Sequence, residues 1–331
     1  MLIPTAILLV FGPALFEPPT PGSAPTAPAV APVSAPAAPA VAPAPKFTPN
    51  ITYTSYPREG APSLELMLNL AQPADLKPGD ARPCIVAIHG GGWAAGKRED
   101  LNFLISEAAK QGFVGATISY RFAPGFRFPA QIEDCAAAVR FLKQNAEKYG
   151  LDPDRIGAIG ISAGAHLAML LAVGGENDGL GMKAADSSLT GRVRASVAFF
   201  GPTDLSSKDF APTTTQILNG LIGADDMIDG VSKVDRAKKA SPVTYVTKDD
   251  SPILMFFGTK DPLVPHTQAY GMLDAMTRAS VNGRAEIIAN EGHGFKMPEM
   301  TRTLKDAADF LLENMAERKA TPPAGTEPAK K

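Results

Sequence analysis

Gly157–Leu167 reads G-A-I-G-I-S-A-G-A-H-L. An apolar run leads up to Ser162, which stands between Gly160 and Gly164, and the residues after it have helical character. A purely structural reading exists, because glycines mark turns and serine caps helices. The same G-x-S-x-G spacing suits a serine pushed outward from a tight strand-to-helix turn as a nucleophile. The pentapeptide recurs by chance in many proteins, so the other strand ends must decide between the two.

Working outward, strand-like and helix-like segments alternate between Lys46 and Lys319. Ile51–Tyr56 and Ser63–Leu70 read as an opening antiparallel pair, the second alternating as L-E-L-M-L-N-L. Cys84–His89 is a short, wholly apolar run, as expected of a strand buried on both faces. A helix over Asp100–Gln111 and a strand over Val114–Tyr120 follow. The spacing of Ile132, Ala136, Val139, Phe141 and Leu142 predicts an amphipathic helix from Pro129 to Tyr149. Asp152-Pro153-Asp154 is expected to break it and to launch a strand over Arg155–Ile161. Beyond Ser162 the pattern gives helix Ala163–Val173, strands Ala195–Phe200 and Ile253–Gly258, helix Thr267–Ala279, strand Ala285–Ala289 and helix Glu299–Arg318. This alternation implies a doubly wound α/β domain with a mostly parallel central sheet. Ligands of such sheets bind beyond the carboxyl ends of the strands.

Four predicted strand ends carry chemistry. One is followed by His89-Gly90-Gly91-Gly92-Trp93, one by Ser162, one by Thr259-Lys260-Asp261-Pro262 and one by Asn290-Glu291-Gly292-His293-Gly294-Phe295. A hydroxyl is a weak nucleophile until a neighbouring imidazole takes its proton. The imidazole in turn needs a carboxylate to fix its tautomer and to stabilise its cation. The oxyanion that develops needs preorganised N–H donors, and consecutive glycines let backbone amides approach it unhindered.

With these motifs in view, the chain resembles the α/β-hydrolase superfamily, specifically its carboxylesterases of the hormone-sensitive-lipase and acetylxylan/feruloyl-esterase type. H-G-G-G-W, G-I-S-A-G-A-H, Y-R-F-A-P, F-P-A-Q-I-E-D and L-D-P-D-R-I carry the resemblance, which extends over nearly all of Lys46–Lys319. It implies Ser162 as nucleophile, Asp261 as acid and His293 as base, with the amides of Gly91, Gly92 and Ala163 as oxyanion hole. Asp204, in G-P-T-D-L, is the rival acid. His89 is expected to brace its loop, and His166, four residues past Ser162, to pack along the helix. His266 either caps a helix or touches substrate. Trp93, the single tryptophan, either packs or walls the substrate pocket. Arg121 and Asp134 are expected to form a structural ion pair or surface contacts rather than to take part in chemistry.

Composition narrows the partners. Of 331 residues, 45% are hydrophobic and the net charge is −2, which gives no electrostatic footprint for nucleic acid. Four scattered histidines and two cysteines offer no metal-ligand spacing, so neither a metal nor a cofactor is expected. Cys84 and Cys135 read as small buried side chains. Met1–Phe16 is almost wholly apolar and resembles the core of an export signal, although no Lys or Arg precedes it. Export to the periplasm or outside the cell is therefore expected, with an uncleaved anchor or a misplaced start as alternatives, and no stable membrane insertion beyond that segment. Proline-rich Glu17–Pro45 reads as an extended spacer and Ala320–Lys331 as a disordered tail.

Many relatives of the hormone-sensitive-lipase type carry a helical cap before the first strands, and the Pro/Ala spacer cannot fold into one. No large cap is expected, only a small partial lid within Asp204–Val246. A shallow cleft suits short acyl groups on bulky alcohols, such as acetylated or feruloylated carbohydrates. Two alternatives remain: an arylformamidase similar to kynurenine formamidase, and a non-catalytic binding protein on a hydrolase scaffold.

Overall fold

The computed structural model describes residues 43–184 and 188–316. The Met1–Phe16 signal-like run, nearly all of the Glu17–Pro45 spacer and the Ala320–Lys331 tail lie outside the described residues.

The first strands are β1 (Lys46–Arg58), β2 (Ala61–Gln72), β3 (Arg82–Ile88) and β4 (Val114–Ile118), with helix α1 (Asn102–Lys110) between the last two. Then come α2 (Ala130–Gln144), α3 (Ala146–Tyr149), β5 (Leu151–Ile161), α4 (Ala163–Val173) and β6 (Ala195–Phe199). An insert follows with α5 (Pro212–Ile222), the short hairpin β7 (Met227–Ile228) and β8 (Val231–Ser232), and α6 (Lys233–Lys239). The chain closes with β9 (Ile253–Gly258), α7 (Gln268–Ala279), β10 (Gly283–Ile288) and α8 (Glu299–Asn314).

Eight strands form one sheet in the order β1-β2-β4-β3-β5-β6-β9-β10. β1 and β4 each pair antiparallel with β2, and every other pairing is parallel. Strands β4, β6 and β9 are buried along their whole length because both their faces are covered. The two-residue period of the strand sends Val86 and Ile88 into a core with α2, α4 and α7, and Ile85 and Ala87 into a second core with α1 and α8. Helix α4 is apolar on all sides and buried along its whole length. Its first turn follows β5 without a loop, which fixes the position of Ser162. Both cysteines are free and buried, Cys84 in β3 and Cys135 in α2. No helix among the described residues is long and apolar enough to cross a membrane.

The structure corrects three local expectations. Asp152-Pro153-Asp154 lies inside β5 rather than before it. Arg82 pairs with Leu151 and Cys84 with Ile156, so the intervening residues bulge outward and the missing proline N–H leaves no gap in the ladder. The helix expected from Pro129 to Tyr149 divides at Asn145, whose side-chain amide donates to the Phe141 carbonyl. The helix expected over Asp100–Gln111 starts with a tighter 3-10 turn, Arg98–Leu101. The stretch expected to form only a small partial lid holds α5, α6 and the β7–β8 hairpin.

Candidate active site

The residues collected from the strand ends converge at the carboxyl edge of the sheet. Ser162 follows β5 at φ 56°, ψ −119°, a positive-φ conformation that a side chain adopts only where its surroundings enforce it. Two close approaches enforce it. A Cβ at Gly160 would fall on the Gly164 carbonyl, and a Cβ at Gly164 on the Ile88 carbonyl. The strand and the helix meet at van der Waals distance only because both positions lack a side chain.

Ser162 Oγ lies 2.8 Å from His293 Nε2, and His293 Nδ1 lies 2.8 Å from Asp261 Oδ2. The other Asp261 oxygen, Oδ1, accepts from the amides of Leu263 (2.8 Å) and Val264 (2.9 Å). A carboxylate in that position can only accept, so Nδ1 of His293 carries a hydrogen and Nε2 is left free to take the serine proton. The Asp261 side chain is wholly buried and that of His293 17% exposed, which leaves the dyad desolvated but reachable. Phe200 packs against the imidazole at 4.8 Å between ring centroids. Asp204 takes no part in this chain. Its Oδ1 accepts from the Ser206 amide and hydroxyl, and its backbone N–H donates to Gln268.

The glycine loop lies against the serine, since a Cβ at Gly90 would come within 3.2 Å of Ser162 Cβ. Gly91 and Gly92 have φ of 109° and 59°. The Gly91 carbonyl accepts from Ala94 and Ala95 (3.1 and 3.0 Å), which turns the loop back on itself. Among the described residues, the amides of Gly91, Gly92 and Ala163 find no internal acceptor. His89 braces the base of the loop: Nδ1 donates to the Gly90 carbonyl at 2.8 Å, and the ring stacks on Tyr120 at 4.4 Å.

Of the two residues with open substrate roles, Trp93 is only 3% exposed and turns inward, its indole N–H donating to His166 Nδ1. His266 is half-buried and edge-on to Tyr270 at 6.1 Å, and helix α7 begins after it with no side-chain cap. Arg121 and Asp134 form a buried pair away from the triad, joined by the Tyr56 hydroxyl at 2.6 Å. Sequence reasoning missed Ile217 of α5, whose Cγ2 lies 2.9 Å from where a Gly92 Cβ would stand. It also missed Phe200. Nothing in the sequence of α5 says where it docks, and F-F-G-P gives no hint of contact with a histidine.

Among the described residues no cluster of His, Cys, Asp and Glu could hold a metal. A cavity of about 420 Å³, lined by Lys143, Arg192, Arg194 and Asp250, opens at the amino ends of β6 and β9 and shares no residue with this constellation.

Comparison with known proteins agrees with the geometry. The chain is 30% identical over 258 residues to Esterase LipQ of Mycobacterium tuberculosis, covering 75% of this chain and 59% of LipQ. It is 27% identical to the ethyl acetate hydrolase of Pseudomonas putida, covering 75% and 76%. The chain spans about three fifths of the length of the first Mycobacterium relatives it matches. Among solved structures, a truncated carbohydrate esterase from gut microbiota superposes with a TM-score of 0.65 at 27% identity, over 83% of this chain and 98% of that one. The butyrate-bound esterase Est2 of Thermogutta terrifontis gives 0.66 at 26% identity, over 82% and 94%. These likenesses and the sheet order give the α/β-hydrolase fold, and residues 68–276 match the BD-FAE family. The chain belongs to the BD-FAE family of α/β-hydrolases.

Proposed function

We propose that this protein is a serine carboxylesterase acting on esters of short acyl groups. The observation that carries the reading is the unbroken path Ser162 Oγ–His293–Asp261, with both links at 2.8 Å. In this reading His293 Nε2 takes the hydroxyl proton as Ser162 attacks the ester carbonyl. The resulting oxyanion is held by the amides of Gly91, Gly92 and Ala163, the last at the positive end of α4. His293 then returns the proton to the departing alcohol, and water repeats the sequence to release the acid. Asp261, anchored by two amides, holds the imidazole tautomer throughout.

Short acyl groups are favoured by Ile217, which stands over Gly92 where a longer chain would run. The ethyl acetate hydrolase and the butyrate-bound esterase among the similar proteins support the same preference. A carbohydrate as the alcohol is supported by the likeness to the gut carbohydrate esterase. Export, supported by the apolar Met1–Phe16 run, suits such polymeric substrates, and N-terminal sequencing of the mature chain tests it. The central test is a fluorophosphonate probe together with p-nitrophenyl acetate. One label on the Ser162 peptide and loss of turnover in Ser162→Ala support the reading; labelling elsewhere refutes it.

A further inference from the structure

Trp93 follows the glycine loop directly and is itself left-handed, at φ 58°. With Gly91 and Gly92 it makes three successive residues at positive φ, and the third is a large aromatic residue for which that conformation is unfavourable. Such a backbone persists only where its surroundings over-determine it. Two bonds do so here. The Trp93 carbonyl accepts from the Ala123 amide at 2.9 Å, and the indole N–H donates to His166 Nδ1 at 3.2 Å. The imidazole meets the indole edge-on, with 5.1 Å between centroids.

His166 has a second partner. Its Nε2 lies 2.6 Å from the carbonyl of Ala240, the residue that ends α6 in the insert. A carbonyl only accepts and an indole N–H only donates, so the two contacts together require the neutral ring protonated at Nε2. The residue is fully buried, so these two contacts take up both ring nitrogens away from solvent. Three segments therefore meet on one side chain: the oxyanion loop through Trp93, the nucleophile helix through His166 itself, and the insert through Ala240. The insert end is in turn held by Ser241, whose hydroxyl donates to the Ala237 carbonyl and accepts from the Leu205 amide.

We propose that His166 is a positioning residue, which sets the oxyanion-hole amides of Gly91 and Gly92 by fixing the indole of Trp93 against the insert. The proposal rests on the reading of Ser162 as nucleophile and of those amides as oxyanion donors. Its consequence is a loss specific to the transition state. Ground-state ester binding does not need the oxyanion donors at full strength, whereas the tetrahedral oxyanion does.

The test uses the full chain with p-nitrophenyl acetate. Trp93→Phe keeps an aromatic ring in the packing and deletes the N–H. The expected result is kcat lower by about 10- to 100-fold, a fraction of what removal of a whole oxyanion donor costs, with KM within about twofold. In parallel, His166→Gln, which keeps an acceptor and a donor, should retain more kcat than His166→Phe, which keeps neither. An unchanged kcat in Trp93→Phe, or equal losses in the two His166 variants, overturns the proposal, because then only volume matters. Should a variant fail to fold, the wild type still decides. Trp93 is the chain's single tryptophan, so its fluorescence reports the loop alone. Phosphonylation of Ser162 puts an oxygen in the oxyanion hole and should shift the emission; an unmoved spectrum overturns the coupling. A wild type that neither turns over ester nor takes the phosphonate refutes the esterase reading and this proposal with it. An active wild type whose Trp93→Phe form is equally active refutes this proposal alone.

Discussion

His293 Nδ1 sits 2.8 Å from Asp261 Oδ2, at a carboxylate whose second oxygen is already tied to two backbone amides. The carboxyl group cannot rotate without giving up three hydrogen bonds, so the direction in which it points the imidazole is built into the loop after β9. Asp261→Asn keeps the shape but offers an N–H to the ring, which favours the wrong tautomer. The expected loss in kcat is about 10⁴-fold. Asp204→Asn should cost far less, because that carboxylate caps its own turn. Steady-state kinetics on both variants check the assignment, and a larger loss at Asp204 would reverse it.

A second expectation concerns acyl length. Each methylene that finds apolar wall in the transition state contributes up to about 0.8 kcal/mol, and one that meets a blocked pocket contributes nothing. With Ile217 over Gly92, kcat/KM should peak at acetyl or propionyl p-nitrophenyl esters and fall by octanoyl. Ile217→Ala should move the peak toward longer chains. A wild-type maximum at eight carbons would show that the insert builds a deep lipid pocket instead.

Stability should depend on acid through His166. Burial lowers its pKa to about 4, against about 6.5 in an unfolded chain. Above pH 6.5 the group is neutral in both states and does not affect the balance. Between 6.5 and 4 the unfolded chain takes up a proton that the folded one refuses, so stability declines across that window and levels off below it. The decline should total about 3 kcal/mol. Urea unfolding at pH 7, 5.5 and 4 measures it, and His166→Gln should remove this share of the slope.

Arg121 is the counter-charge of a carboxylate with no exposed side-chain surface, Asp134. Arg121→Met strands that charge inside the protein and should destabilise it by about 3–5 kcal/mol in urea melts. The double variant Arg121→Met/Asp134→Leu should be less destabilised than the single one. If the single substitution is neutral, the pair does not hold the segment after β4 to α2.

What the sequence made legible follows from where constraint is local. The serine elbow could be read because two glycines and a helix apolar but for His166 leave a chain little choice. The meeting of His293 and Asp261 could be anticipated because each follows a short strand whose end must lie at one edge of a parallel sheet. Ile217 and Phe200 could not be read, since their roles depend on how an insert and a strand end dock, and nothing local encodes docking. Trp93 shows the same limit from the other side. Its position beside the glycines was plain, but whether the indole faced substrate or interior depended on His166, seventy-three residues away. Asp152-Pro153-Asp154 misled because a proline usually ends a ladder, and here a bulge absorbs it.

Phe200 leaves β6 with φ 42°, and its ring lies against His293. β6 contributes no reacting group, yet it separates the strand that carries the serine from the one that carries the acid. With Nδ1 held by Asp261 and Phe200 packed against the ring, an end-over-end turn of the imidazole would break the bond to the carboxylate. In the proposed reaction the same nitrogen, Nε2, would therefore take the serine proton and return it to the departing alcohol. The silent strand thus bears on the site through packing alone, by the one ring it lays against the imidazole.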